Sequence, residues 1–71
     1  MSTIRLQYYG MAKAQKAEDF VIGDMMMWNF GAKSIVTGVE SETQHFITFI
    51  LDEGGKKYSR KMKRDRLVAI G

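Results

Sequence analysis

The chain has 71 residues, 45% hydrophobic and 27% charged, with seven Gly, no Pro and no Cys. One small domain over residues 1–71 fits that length, and the lack of Cys with a single His excludes a disulfide framework, a thiolate metal site and a His-rich zinc site. The net charge of +3 averages basic ends and an acidic middle, and without staples such a core supplies only about 3–5 kcal/mol, so a binding module without cofactor or catalytic residues is expected rather than an enzyme.

Ile4, Leu6 and Tyr8 alternate with Arg5, Gln7 and Tyr9, which predicts a half-buried strand over 1–9 ended by Gly10. From Met11 to Asp19 the chain is rich in Ala, Lys and Gln, with Met11, Ala14 and Ala17 spaced as on one helix face, which predicts a short N-terminal helix over 11–19. Ile22-Gly23-Asp24 reads as a turn into the strand Met25 to Phe30, apolar on both alternating sets. Ile35 to Val39 forms another strand, Glu40 to Gln44 a polar turn, and His45 to Leu51 a further strand apolar on both faces. Asp52-Glu53-Gly54-Gly55 is a hairpin signal, because paired Gly supplies the positive φ of a tight turn. Lys56 to Met62 returns as an alternating strand, Arg64-Asp65-Arg66 is a one-turn break, and Leu67 to Ile70 closes the chain.

Short strands at this spacing predict a mainly β domain, a small antiparallel barrel of five to six strands over 20–71 with one short N-terminal helix. Taken together, the Ile22-Gly23-Asp24 opening, the Gly-Gly hairpin, the break at Arg64-Asp65-Arg66 and the final Leu67-Val68-Ala69-Ile70 resemble the small-barrel superfold of Src-homology-three, Tudor and KOW domains. Residues 24–31 and 54–70 also resemble short phage and mobile-element proteins that carry a Trp-Asn-aromatic-Gly segment and a basic Tyr-rich hairpin. The resemblance implies a Src-homology-three-like fold and a binding role, with no activity attached.

Charge sorts along the chain. Residues 17–53 hold Glu18, Asp19, Asp24, Glu40, Glu42, Asp52 and Glu53 against Lys33 alone, whereas 54–71 hold Lys56, Lys57, Arg60, Lys61, Lys63, Arg64 and Arg66 against Asp65. The basic hairpin is therefore the candidate site. Lys57 and Lys61 project from one face, with Lys63 and Arg64 continuing the stripe into the following turn. Tyr58 and Arg60 lie on the other face, beside Met62, which enters the core. Cations at period two can follow a sugar-phosphate backbone, and Tyr58 or Trp28 can stack on a base. The segment Trp28-Asn29-Phe30-Gly31 has a plainer reading as core, and so has Met25-Met26-Met27. His45 stands without a carboxylate or Cys cluster and is read as a surface residue.

The expected function is nucleic-acid binding through Lys57, Tyr58, Arg60, Lys61, Lys63, Arg64, Arg66 and Trp28. The alternative is a phage or mobile-element inhibitor of a host defence or nucleic-acid-processing protein. Because the strands at 25–30 and 45–51 have apolar second faces that one small interior cannot hold, a homodimer is expected as well. No apolar run approaches the roughly 20 residues of a membrane span, and the N-terminus lacks a basic segment followed by an apolar one, so a soluble cytoplasmic protein is expected.

Overall fold

The computed structural model describes residues 2–71. They form one antiparallel sheet of seven strands: β1 (Ser2–Leu6), β2 (Gly10–Lys16), β3 (Met25–Met27), β4 (Lys33–Glu42), β5 (Phe46–Glu53), β6 (Lys56–Lys63) and β7 (Leu67–Ile70). Their spatial order is β1-β2-β7-β3-β4-β5-β6, so β1 and β6 are the edges of an open sheet. Single 3₁₀ turns at Ala17–Asp19 and Asn29–Gly31 are the helical elements among the described residues, and no helix there is long and apolar enough to cross a membrane.

The hairpin expected at Gly54-Gly55 forms as a two-residue turn between the paired Glu53 and Lys56. Both glycines have positive φ, +60° and +87°, the conformation that matches the twist of the flanking strands and that side chains with a Cβ resist. Strand β4 is longer than the Ile35 to Val39 segment foreseen, and its pairing with β5 shifts register between Val36 and Gly38 and again between Val39 and Ser41. Such bulges add local twist and bend the sheet.

One face of the bent sheet carries the main core. Met26 of β3, Val36 of β4, Ile47, Phe49 and Leu51 of β5, Met62 of β6 and Val68 of β7 fall in one buried cluster, joined by Ala17 and Phe20 from the β2–β3 connection. Phe49, Met26, Leu51 and Val36 are the largest wholly buried apolar side chains, and each such burial stabilises by about 1.5–3 kcal/mol.

The predicted helix over 11–19 is not formed. Residues 10–16 are β2, which alternates buried Ala12 and Ala14 with exposed Met11 and Lys13, leaving only the turn at Ala17–Asp19 helical. Helix propensity is a weak prior that tertiary pairing overrides, and a two-turn helix is marginal in water. Strand β2 instead bonds to β1 on one side and, through Ala14, Gln15 and Lys16, to β7 on the other. Similarly, the strand over 1–9 stops at Leu6, because Tyr8 takes φ +62° in the turn to Gly10. The sheet thus has seven strands in place of five or six.

The apolar second face of β3 is covered within the chain. Met27 packs with Leu6, Ala12 and Ala69, flanked by Ile4, so the β1–β2 hairpin and β7 cover that face. On β5 the second set, Phe46, Thr48 and Ile50, is half-buried.

Candidate polyanion cleft

The basic hairpin presents two unlike faces. Register pairs on β5 and β6 share a face, so Tyr58 opposite Leu51 and Arg60 opposite Phe49 rise from the rim of the core. Lys57, Ser59, Lys61 and Lys63 point the other way. On that outer face acids from the middle of the sequence sit close by: Asp52 stands opposite Lys57 in the strand register, and the Ser59 hydroxyl donates to Glu40 at 3.1 Å. The Lys61 ammonium lies 4.6 Å from the centre of the Phe46 ring. The segregation seen along the sequence is thereby partly cancelled in space, and the lysine stripe is weaker in field than its count implies.

Arg64 is engaged structurally. Its guanidinium donates to the Thr43 carbonyl at 2.8 Å and to Glu42 at 3.2 Å, tying the end of β6 to the β4–β5 turn, and its amide donates to the His45 carbonyl at 3.0 Å. Both partners of this ion pair are partly exposed, which limits it to about 0.5–1 kcal/mol. Arg64→Ala is expected to lower stability by about 1 kcal/mol in a urea melt, counting the lost carbonyl bond, while changing polyanion affinity less than threefold.

The inner rim is different. Arg60 places its guanidinium carbon 4.3 Å from the centre of the Trp28 ring, and that of Arg66 lies 6.0 Å from the same ring. Among the described residues the one salt bridge is that of Arg64 with Glu42, so neither cleft arginine has a carboxylate partner. Partial burial, and then the neighbouring charge of Arg60, hold the Arg66 guanidinium below its ordinary value. An anion between the two would relieve that repulsion.

Both arginines line a cleft of about 300 Å³ together with Trp28, Asn29 and Phe30, and Ile4, Leu6 and Met27 contribute apolar surface. That volume is at the lower end of small-ligand sites.

Trp28 is held from behind by the most polar feature of the interior. Ser34 is wholly buried on β4, and its Oγ accepts from Trp28 Nε1 at 3.0 Å and contacts Glu53 Oε1 at 2.9 Å and the Tyr58 hydroxyl at 2.8 Å. A carboxylate only accepts, so the single Ser34 proton goes to Glu53 and Tyr58 must donate to Ser34. One hydroxyl therefore fixes the indole plane on which the arginines rest. Preorganised supports of this kind position a site more tightly than loops do.

Each member of Trp28-Asn29-Phe30-Gly31 has a distinct task. Asn29 accepts from the Gln7 amide at 3.0 Å, and the Phe30 amide donates to the Gln7 carbonyl at 2.8 Å, which fastens this turn to the tip of the β1–β2 hairpin. Phe30 stacks on Tyr8, ring centres 4.9 Å apart and 23° between planes. Gly31 has φ +83°, and a Cβ there would lie 3.3 Å from the Tyr9 ring.

Of the residues singled out from sequence, Trp28, Arg60 and Arg66 come together in the cleft and Tyr58 supports it through Ser34. Lys57, Lys61 and Lys63 lie on the opposite face, and Arg64 is tied to the β4–β5 turn. Ser34, Glu53, Tyr8 and Phe30 were missed. The Asn29 and Gly31 flanks of Phe30 were the local signal for an unusual turn, whereas Ser34 gives no signal in sequence. No family model matches the chain, nor does any curated protein or solved structure.

Proposed function

We propose that the chain is a non-enzymatic, cytoplasmic nucleic-acid-binding module of Src-homology-three-like small-barrel layout, and that the polyanion sits in the Trp28–Arg60–Arg66 cleft. The layout is supported by the run β7-β3-β4-β5-β6, an antiparallel meander whose last strand returns beside its first. The observation that carries the function is the convergence of two guanidinium groups without carboxylate partners on one indole. Phosphate oxygens are matched to such forks, and guanidinium is weakly enough hydrated to exchange water for them.

A salt titration tests this. Each phosphate contact with a single strand contributes about −0.7 to the slope of log affinity against log salt. Two cleft arginines alone give about −1.4, and engagement of Lys57, Lys61 and Lys63 as well would steepen it to about −3.5. No measurable affinity, or a flat slope, removes the reading.

A second reading, an inhibitor from a phage or mobile element that docks on a host protein, is favoured by Val21 and Ile22. These loop side chains are 64% and 68% exposed, and nothing in polyanion binding calls for them. A stoichiometric host protein recovered with the wild-type chain and lost with Val21→Ser/Ile22→Ser would support it.

A further inference from the structure

Tyr8 and Phe30 stand out on three counts. They are the only non-Gly residues with positive φ among the described residues, at +62° and +71°. That region is sparsely used by residues with a Cβ and suits Gly or Asn better. Both rings nevertheless remain in solvent, Tyr8 83% and Phe30 66% exposed, stacked on one another rather than packed into either core. The hairpin tip does not need the stack to stay in place, because the Gln7 backbone already bonds to Asn29 and Phe30. Phe30 also lines the cleft that holds Arg60 and Arg66.

From this juxtaposition we infer that the cleft takes a single-stranded nucleic acid, with an unpaired base stacked on the free face of the Tyr8–Phe30 pair and adjoining phosphates on Arg60 and Arg66. The inference rests on the polyanion reading above and adds the ligand class to it. A duplex presents each internal base already stacked on both sides, and freeing one requires unstacking. An unpaired base offers its π-face directly, and aromatic platforms beside basic grooves are the general solution for such strands.

Tyr8→Gly and Phe30→Gly delete each ring while suiting the backbone conformation already present. Fluorescence polarisation of the full chain is measured at one fixed ionic strength against three probes: a labelled oligonucleotide of roughly ten nucleotides, the blunt duplex of the same sequence, and inorganic polyphosphate as competitor. The wild-type chain is expected to bind the single strand at least about tenfold more tightly than the duplex. Each Gly variant is expected to lose roughly tenfold for the single strand, as one base stack implies, with polyphosphate competition changed less than about twofold. Equal affinity for strand and duplex overturns the inference and leaves the polyanion reading standing, as does retained affinity in Gly variants that melt like wild type. No affinity for any probe overturns both and is the outcome a protein target would give. Should a Gly variant fold poorly, Tyr8→Asn and Phe30→Asn repeat the measurement, since Asn tolerates the same φ.

Discussion

Arg60→Gln/Arg66→Gln is expected to reduce polyanion affinity by at least about 100-fold while leaving the melting temperature near that of wild type. A charge-assisted hydrogen bond contributes about 1.5–3 kcal/mol, and two lost together correspond to about 3–6 kcal/mol before any shared contribution is discounted. Folding is spared because Gln keeps part of the aliphatic stem of Arg60 against the core rim and because the repulsion of Arg66 by Arg60 disappears along with the stacking on Trp28. The matched control is Lys57→Gln/Lys61→Gln/Lys63→Gln. It removes three charges instead of two, yet it is expected to weaken binding only severalfold, because those lysines face away from the cleft and share their surface with Asp52 and Glu40. A larger loss in the lysine variant than in the arginine variant would move the site to the outer face.

Ser34→Ala is expected to destabilise the domain by about 2 kcal/mol, a large part of the roughly 3–5 kcal/mol such a core provides. Removing one oxygen leaves three groups without their partner: the Trp28 N–H, the Tyr58 hydroxyl and the Glu53 carboxylate. A buried donor or acceptor so stranded costs about 1–3 kcal/mol, and Tyr58 and Glu53 recover some of it by turning to water, which is why the full cost for three groups is not expected. For a domain of this size the melting temperature falls by roughly 10 °C. The same variant is expected to weaken polyanion binding severalfold, since the indole loses the bond that fixes its plane. Glu53→Gln separates the hydrogen bond from the charge: the amide oxygen still accepts from Ser34, and the change in stability is expected to stay under about 1 kcal/mol.

What could be read from the sequence was local. The β5–β6 hairpin follows from Gly54-Gly55, β6 from its alternation, and the separation of Tyr58 and Arg60 from the lysines from the period of two. The errors arise where distant segments decide. Residues 11–16 carry helix-forming side chains, but their Ala residues are small enough to sit at 0–7% exposure between β1 and β7, a fit that becomes visible only once β7 is in place. The compensation of the lysine stripe depends on the β5–β6 register for Asp52 and on a cross-sheet contact for Glu40, 19 residues from Ser59. Ser34 is one of several serines by composition and acquires its role because Trp28, Glu53 and Tyr58 converge on it from three other places in the chain. Tyr8 and Phe30 meet where the Gln7 backbone is bonded to Asn29 and Phe30. Individual residues of the cleft were therefore within reach of sequence reasoning, while its geometry was not.

At 8.1 kDa with a single Trp, the protein suits amide chemical-shift mapping during titration with a short single-stranded oligonucleotide. The account predicts that the largest shifts fall on the Trp28 indole N–H and on the amides of Tyr8, Phe30, Arg60 and Arg66, with Lys57, Lys61 and Lys63 changing little. Largest shifts on those three lysines, or an indole N–H that does not move at saturation, would contradict it.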